Sequence, residues 1–196
     1  MKAYLAAALV GTALFAGIAA EAQAQRVRGT VTSASGNMIA VKTSDGGSVD
    51  IALGEKTNYV FAQPVPMSDI KQGDFLGVTS VKRVDGTLTA YDVRRFPKPT
   101  NPGHRPFDGG SNQTMTNALV STTVNSAKGR ELVLTYDGGS QKVMVAETAS
   151  ITSLTPGQRS QVVTGSYVSV LTEPGADGKL TARVVEVRKD APQLPK

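Results

Sequence analysis

A single histidine and several arginines lie close together near the middle of this 196-residue chain, which has no cysteine. Guanidinium groups donate paired hydrogen bonds to carboxylates and phosphates, so such a group of residues predicts a site for an anion. The candidate ligand-binding side chains of this stretch are Arg94, Arg95, His104, Arg105, Phe107 and Asp108. The question is whether this stretch is a site or only a connection between two folded parts.

The proline content of the stretch supports two structural interpretations. Four prolines between residues 97 and 106 are incompatible with a helix and favour an extended, solvated linker. In the alternative, the linker folds against both neighbouring domains with Phe107 as its anchor. His104 and the arginines then form a cationic notch on a rigid scaffold.

A metal site is a further interpretation of the same residues. His104 and Met115 offer an imidazole and a thioether, both of which are acceptable copper ligands. Two ligands are too few for a closed site, however, and the chain has no second histidine and no cysteine to complete it. Copper handling is therefore the alternative function, and we expect neither a resident metal nor a cofactor.

Catalytic residues are scarce in the sequence. A nucleophilic serine would need the one histidine beside it and an acid to orient that histidine. No G-x-S-x-G segment is present, and the acidic residues lie mostly in turns, where local hydrogen bonding explains them. The sequence thus predicts a protein that is not an enzyme.

The first 24 residues have the three parts of a secretory signal peptide. Lys2 precedes an apolar run over residues 4–20, and the small-residue segment Ala22-Gln23-Ala24 follows it. We expect cleavage after Ala24 and a periplasmic or secreted protein. A membrane anchor is the alternative, but the run is shorter than the ~20 residues that usually span a bilayer. No later segment has membrane-spanning length.

The formal net charge is +5, and it stays +5 when the signal peptide is removed because Lys2 and Glu21 leave together. A basic balance favours anionic partners. We therefore expect a binding module that recognises an anionic small molecule, an envelope polymer or a protein. Nucleic acid is not expected, because the chain is periplasmic by prediction and has few aromatic residues to stack on bases.

The chain contains an internal duplication. The segment Asp45-Gly-Gly-Ser48 recurs as Asp137-Gly-Gly-Ser140, and the offset of 92 then holds to the end, so that Asp85-Gly86 matches Asp177-Gly178. This period is longer than the ~20 to 50 residues of solenoid repeats. The sequence therefore predicts a duplicated domain.

Each copy has the pattern of short β-strands. Apolar residues alternate with polar ones at Ile51 and Leu53, and again at Val143 and Val145. The Asp-Gly turns separate such runs as in hairpins. Each copy is expected to contain three strands, a short helical turn and two further strands.

This strand order predicts an all-β fold with two tandem, small, OB-like five-stranded β-barrels, although a flat sandwich is an alternative. The predicted domains are a signal peptide (1–24), a first barrel (25–96) and a Pro/Gly-rich linker (97–117). A second barrel (118–190) and a flexible tail (191–196) follow.

The segments DIKQGDFLGVTSVKRVDGTLTAYDVRRF and VVTGSYVSVLTEPGADGKLTARVVEVR resemble a bacterial OB-like domain family of unknown function. The arrangement of two such units around residues 103–120 resembles secreted proteobacterial proteins with tandem domains of this kind. The resemblance covers most of the chain after residue 24. It implies a fold and a compartment, and it supplies no catalytic residue.

Overall fold

The computed structural model describes residues 24–107, 110–126, 129–175 and 179–195. Across these ranges the chain is all-β, with eleven strands and two short 3₁₀ turns. The predicted signal peptide lies outside the described residues except for Ala24, and Asp108 and the predicted turn at Asp177-Gly178 also lie outside them. Within the described ranges, no helix has the length and apolar character needed to cross a membrane.

The strands follow the predicted order in each half, and one additional strand lies between the halves. Their bounds are β1 Gln25–Ser35, β2 Met38–Thr43, β3 Ser48–Pro64, β4 Phe75–Lys82, β5 Leu88–Phe96, β6 Gly103–Pro106, β7 Gln113–Ser126, β8 Gly129–Tyr136, β9 Gly139–Pro156, β10 Tyr167–Pro174 and β11 Leu180–Arg188. The 3₁₀ turns are Met67–Asp69, which precedes β4, and Arg159–Gln161, which precedes β10.

The predicted hairpin turns form where the Asp-Gly-Gly segments lie. Gly46 and Gly138 both have a φ of 87°, which a residue with a Cβ adopts only with strain. Gly46 lies between β2 and β3, and Gly138 lies between β8 and β9. Glycine at these two positions therefore fixes the turns that join equivalent strands of the two copies.

The strands form two closed five-stranded barrels. The first barrel closes in the order β1-β2-β3-β11-β10, with β10 returning to β1. The second barrel closes in the order β7-β8-β9-β5-β4, with β4 returning to β7. In each barrel one pair is parallel, namely β3 with β11 and β5 with β9.

Each barrel therefore takes three strands from one half of the chain and two from the other half. This differs from the prediction of contiguous barrels over residues 25–96 and 118–190. Strands β4 and β5, expected in the first barrel, belong to the second, and β10 and β11 belong to the first.

The length of β3 and β9 explains the exchange. Strands β3 and β9 have 17 and 18 residues, about three times as many as an ordinary strand. The far ends of β3 and β9 pair with each other, so that Val60 lies opposite Pro156 and Pro64 opposite Thr152. Each long strand thus carries the chain out of the barrel in which it begins.

Each barrel has its own apolar core. Ile51 and Leu53 are buried in the first barrel and Val143 and Val145 in the second, which confirms the predicted alternation in these strands. The first core also contains Val168, Val170, Val185 and Val187 from the end of the chain. The apolar burial that stabilises one barrel therefore depends on both halves.

The segment expected to be a linker is partly a strand. Residues 103–106 form β6, which pairs antiparallel with β7 at the edge of the second barrel. Strand β7 begins at Gln113, five residues before the predicted start of the second barrel at residue 118. The proline-rich part before Gly103 is irregular, as are the described residues between β6 and β7.

The strand exchange predicts the outcome of cutting the chain in this connection. With a protease site inserted at Asn101, which is exposed, we expect the cleaved protein to elute as one species in size-exclusion chromatography and to melt in one transition. Each fragment alone lacks two strands of one barrel and three strands of the other. Two half-sized folded species that separate without denaturant would contradict the exchange.

Candidate ligand-binding site between the barrels

The outer faces of the two barrels meet around the end of β5 and the end of β11. Asp92 and Arg94 lie on β5, and Glu186 and Arg188 lie on β11. Arg94 and Glu186 are 92 residues apart, so they occupy equivalent positions in the two copies. They therefore lie close to the local two-fold axis that relates the copies, and opposite charges meet there.

These four side chains form a buried ion network. Arg94 donates from Nη1 to Glu186 Oε2 at 3.1 Å, and its Nε lies 3.4 Å from Asp92 Oδ2. Arg188 donates to Asp92 Oδ1 at 2.9 Å and to Glu186 Oε1 at 2.7 Å. The Arg188 side chain is only 5% exposed. Charges this deeply buried are tolerated because each has partners of opposite sign.

The network sets the protonation of its members. Burial opposes the ionisation of Glu186, but the charges of Arg94 and Arg188 outweigh burial, so the pKa of Glu186 lies below its ordinary value. Burial likewise opposes the charge on Arg188, but Asp92 and Glu186 raise the pKa of Arg188 above its ordinary value. Glu186 and Arg188 are therefore both ionised in the folded protein over the neutral range.

Two open clefts flank this network. The tail-side cleft, of about 670 Å³, is lined by Tyr91, Arg188, Pro192 and Leu194, among others. Residues of the segment expected to be a flexible tail thus lie against this cleft. The linker-side cleft, of about 840 Å³, lies between β3, the residue 97–107 segment and the outer face of β7. Both volumes are in the range of small-molecule binding sites.

The linker-side cleft has a large excess of positive charge. One carboxylate, Glu186, lines it together with five cationic side chains. The cationic residues are Arg26, Arg28, Arg94, Lys98 and Arg105. Lys98 and Arg105 are exposed at its outer side, and Arg94 forms an ion pair with Glu186. The cleft therefore favours an anion.

Phe107 fixes the end of the linker against both barrels. The guanidinium carbon of Arg28, on β1, lies 4.8 Å from the centre of the Phe107 ring. The backbone N–H of Phe107 donates to the carbonyl of Gln113 at 2.9 Å. Both Arg28 and Phe107 line the two clefts. This geometry corresponds to the interpretation in which the linker folds with Phe107 as its anchor.

Of the six residues predicted as a site, the structure brings three to the clefts: Arg94, Arg105 and Phe107. Arg95 has a different position, because it donates to Ser153 Oγ and to the carbonyl of Asp69 and lies 3.7 Å from Asp74. It connects β5 to β9 and to the 3₁₀ turn. Asp108 lies outside the described residues.

His104 also lies away from both clefts. Its Nδ1 is 2.8 Å from Thr116 Oγ1, and Thr116 is fully buried on the core side of β7. Burial and the nearby Lys82 lower the pKa of His104, which favours the neutral ring. The structure therefore does not place His104 in a cationic notch with the arginines.

The same geometry separates the two residues of the copper interpretation. His104 lies opposite Thr116 in the β6–β7 pair, whereas Met115 lies opposite Arg105. Adjacent residues of a strand point to opposite faces, so the imidazole and the thioether cannot share one metal ion here. Among the described residues, no group of three or more histidine or acidic side chains has a metal-binding arrangement.

Several residues that form the floor and walls of the site were not predicted from the sequence. Asp92, Glu186 and Arg188 are central to the network, while Arg28 and Asn117 line the linker-side cleft. One signal was present in the sequence: the offset of 92 places Arg94 and Glu186, two residues of opposite charge, at equivalent positions. The strand exchange that makes them partners was not visible.

No family model, curated protein or solved structure matches this chain. The resemblance to a bacterial OB-like domain family therefore stays a prediction, and the assignment of function depends on the geometry of this chain alone.

Replacing Arg188 should destabilise the protein strongly. In Arg188→Ala, Asp92 and Glu186 stay buried without their strongest partner, and we expect a loss of about 3 to 5 kcal/mol in the free energy of unfolding. The matched control is Arg183→Ala, because Arg183 is 55% exposed and pairs with the exposed Glu173. That change should cost less than ~1 kcal/mol. Equal losses in denaturant titrations of the two variants would contradict a buried network.

The loss of protein stability at alkaline pH should depend on Tyr91. Burial, and then the charge of Asp92, raise the pKa of Tyr91 from 10.0 to about 12. The unfolded chain therefore releases this proton first, so the contribution of Tyr91 is complete below pH 10 and is lost as the pH rises towards 12. In Tyr91→Phe, thermal melts between these pH values should show a shallower decline than in the wild type. An identical decline would show that Tyr91 titrates normally.

Proposed function

We propose that the protein is a non-catalytic binding module, periplasmic or secreted, that binds an anionic ligand in the linker-side cleft. The observation that carries the proposal is the lining of this cleft, which has a volume of about 840 Å³ and contains five cationic side chains and one carboxylate. Such an excess attracts an anion over a distance and holds it on contact. The residue 97–107 segment supplies two of these cations, Lys98 and Arg105.

The strand order supports an OB-type assignment for each barrel. In an OB-type barrel the first strand pairs with the second and the fourth, and the third pairs in parallel with the fifth. Both barrels have this order when the last two strands are taken from the other copy. OB-type barrels bind oligosaccharides and oligonucleotides on one sheet face and its loops. On this proposal, the outer faces that bind ligand in a single barrel are turned towards each other here.

The compartment remains part of the proposal. The residues that predict secretion lie almost wholly outside the described ranges, and the absence of cysteine is compatible with an extracytoplasmic fold that depends on its core alone. A ligand of the cell envelope would then be an acidic polymer or a small anion.

Salt-dependent binding tests this function with a defined probe. Dextran sulfate coupled to a column should retain the protein, and retention should weaken as salt rises because screening shortens the reach of the cleft charges. The double variant Lys98→Gln/Arg105→Gln should bind the soluble polymer roughly tenfold more weakly, at ~0.5 to 1 kcal/mol for each exposed ion pair lost.

The matched control removes the same two charges elsewhere. Arg130 and Lys142 are exposed on β8 and β9 and line neither cleft. If Arg130→Gln/Lys142→Gln weakens binding as much as the cleft variant does, net charge alone explains the retention, and the linker-side cleft is not the binding site.

A further inference from the structure

The linker-side cleft contains a buried hydrogen-bond acceptor to which none of the described residues donates. Asn117 on β7 is 4% exposed and lines this cleft. Its Nδ2 donates to the carbonyl of Thr100 at 2.9 Å, which fixes the orientation of the amide. Its Oδ1 has no hydrogen-bond partner among the described residues. A buried acceptor without a donor is unfavourable, so a ligand with a hydroxyl or N–H donor would be stabilised here.

An aromatic ring lies beside this acceptor. Gly77 on β4 is paired with Arg94 on one side and with Asn117 on the other. A Cβ at Gly77 would meet the Phe96 ring at 2.4 Å and Asn117 Oδ1 at 3.1 Å, so the ring and the amide oxygen are packed over the same glycine. The guanidinium carbon of Arg94 lies 5.9 Å from the centre of the Phe96 ring. An acceptor, an aromatic face and a guanidinium thus form one wall.

The rest of the lining adds apolar faces and outer cations. Tyr59, Phe96 and Phe107 line the cleft, and Lys98 and Arg105 are exposed at its outer side. A ligand matched to this lining has carboxylates for the outer cations, apolar ring faces for the aromatic side chains and hydroxyl donors for Asn117. Sugar acids have all three, because their rings combine C–H faces with hydroxyls and a carboxylate.

We infer that the linker-side cleft binds an acidic oligosaccharide, with the Asn117 amide oxygen accepting a sugar hydroxyl and Lys98 and Arg105 pairing with uronate carboxylates. This inference depends on the proposed function, because it names the class of anion. An acidic peptide is the competing ligand. Peptides commonly bind by adding a strand to a sheet edge. The strand of the linker segment, β6, ends at Pro106 and follows Pro102, and neither proline has an N–H to donate.

The test compares ligands that share charge and differ in hydroxyl donors. Binding to the full chain would be measured by calorimetry with trigalacturonate, with its O-methylated form, which keeps the carboxylates and lacks hydroxyl donors, and with tri-glutamate. We expect trigalacturonate to bind about fivefold to tenfold more tightly than its O-methylated form, which is the effect of one hydrogen bond, and more tightly than tri-glutamate, which has no ring faces for the aromatic side chains. In Asn117→Ala this ratio should fall to about one. Arg105→Gln should weaken all three ligands equally.

The control is Asn37→Ala, at an exposed asparagine that lines neither cleft, and it should leave the ratio unchanged. A shift of the linker would weaken every ligand and would not change the ratio, so the ratio isolates the acceptor. Equal binding of all three anions would overturn the inference and leave the proposed function intact. If the three anions do not bind, or if neutral maltotriose binds as well as trigalacturonate, the proposed function itself is wrong. The O-methylated ligand decides the question on the wild-type protein if Asn117→Ala does not fold.

Discussion

Closure of each barrel depends on two strand pairs, one parallel and one antiparallel, whose members come from opposite halves of the chain. Strand β11 fills the gap between β3 and β10, and β5 fills the equivalent gap between β9 and β4. Without these pairs each three-stranded unit would expose an open edge and half of its apolar core. Because the pairs are reciprocal, the two barrels are fixed relative to each other, and so are the clefts between them.

This reciprocity places equivalent residues face to face at the local two-fold axis. A duplicated chain with identical copies would bring identical side chains together there, and two like charges would repel each other. The present chain has Arg94 opposite Glu186 across the network, and Ala62 opposite Leu154 where β3 and β9 pair. The first pair combines opposite charges and the second combines a small side chain with a larger one, so both contacts at the axis are favourable. The copies have therefore diverged where symmetry would otherwise be unfavourable.

The ligand proposal follows from the same arrangement. The buried network uses Arg94 for structure, so the cations available to a ligand are those at the sides of the linker-side cleft, including Arg105 and Lys98. Phe107 and Arg28 connect the linker to the first barrel, while β6 connects it to the second. The segment is thus held as a wall of the cleft by both barrels.

Local features of the sequence were enough to predict the strands and turns. Period-two alternation at Ile51 and Leu53 and the Asp-Gly-Gly turns act within a few residues, and the structure confirms them. The pairing of strands was beyond local reasoning. Contiguous and exchanged barrels bury the same residues with the same turns, and they differ only in whether β3 bends back or continues. The predicted site grouped residues that are near one another in sequence, such as Arg95, His104 and Arg105, whereas Glu186 lines the same cleft as Arg105 only because the strands are exchanged.

Cysteine cross-linking tests the exchange most directly, and the absence of native cysteine makes the experiment clean. Thr30 on β1 lies opposite Tyr167 on β10. In a contiguous barrel, the equivalent partner of Thr30 would be Phe75 on β4. We expect an intramolecular disulfide in Thr30→Cys/Tyr167→Cys and none in Thr30→Cys/Phe75→Cys, detected by mass spectrometry of the oxidised monomer. A disulfide in the second variant and none in the first would contradict the exchanged fold and the cleft that depends on it.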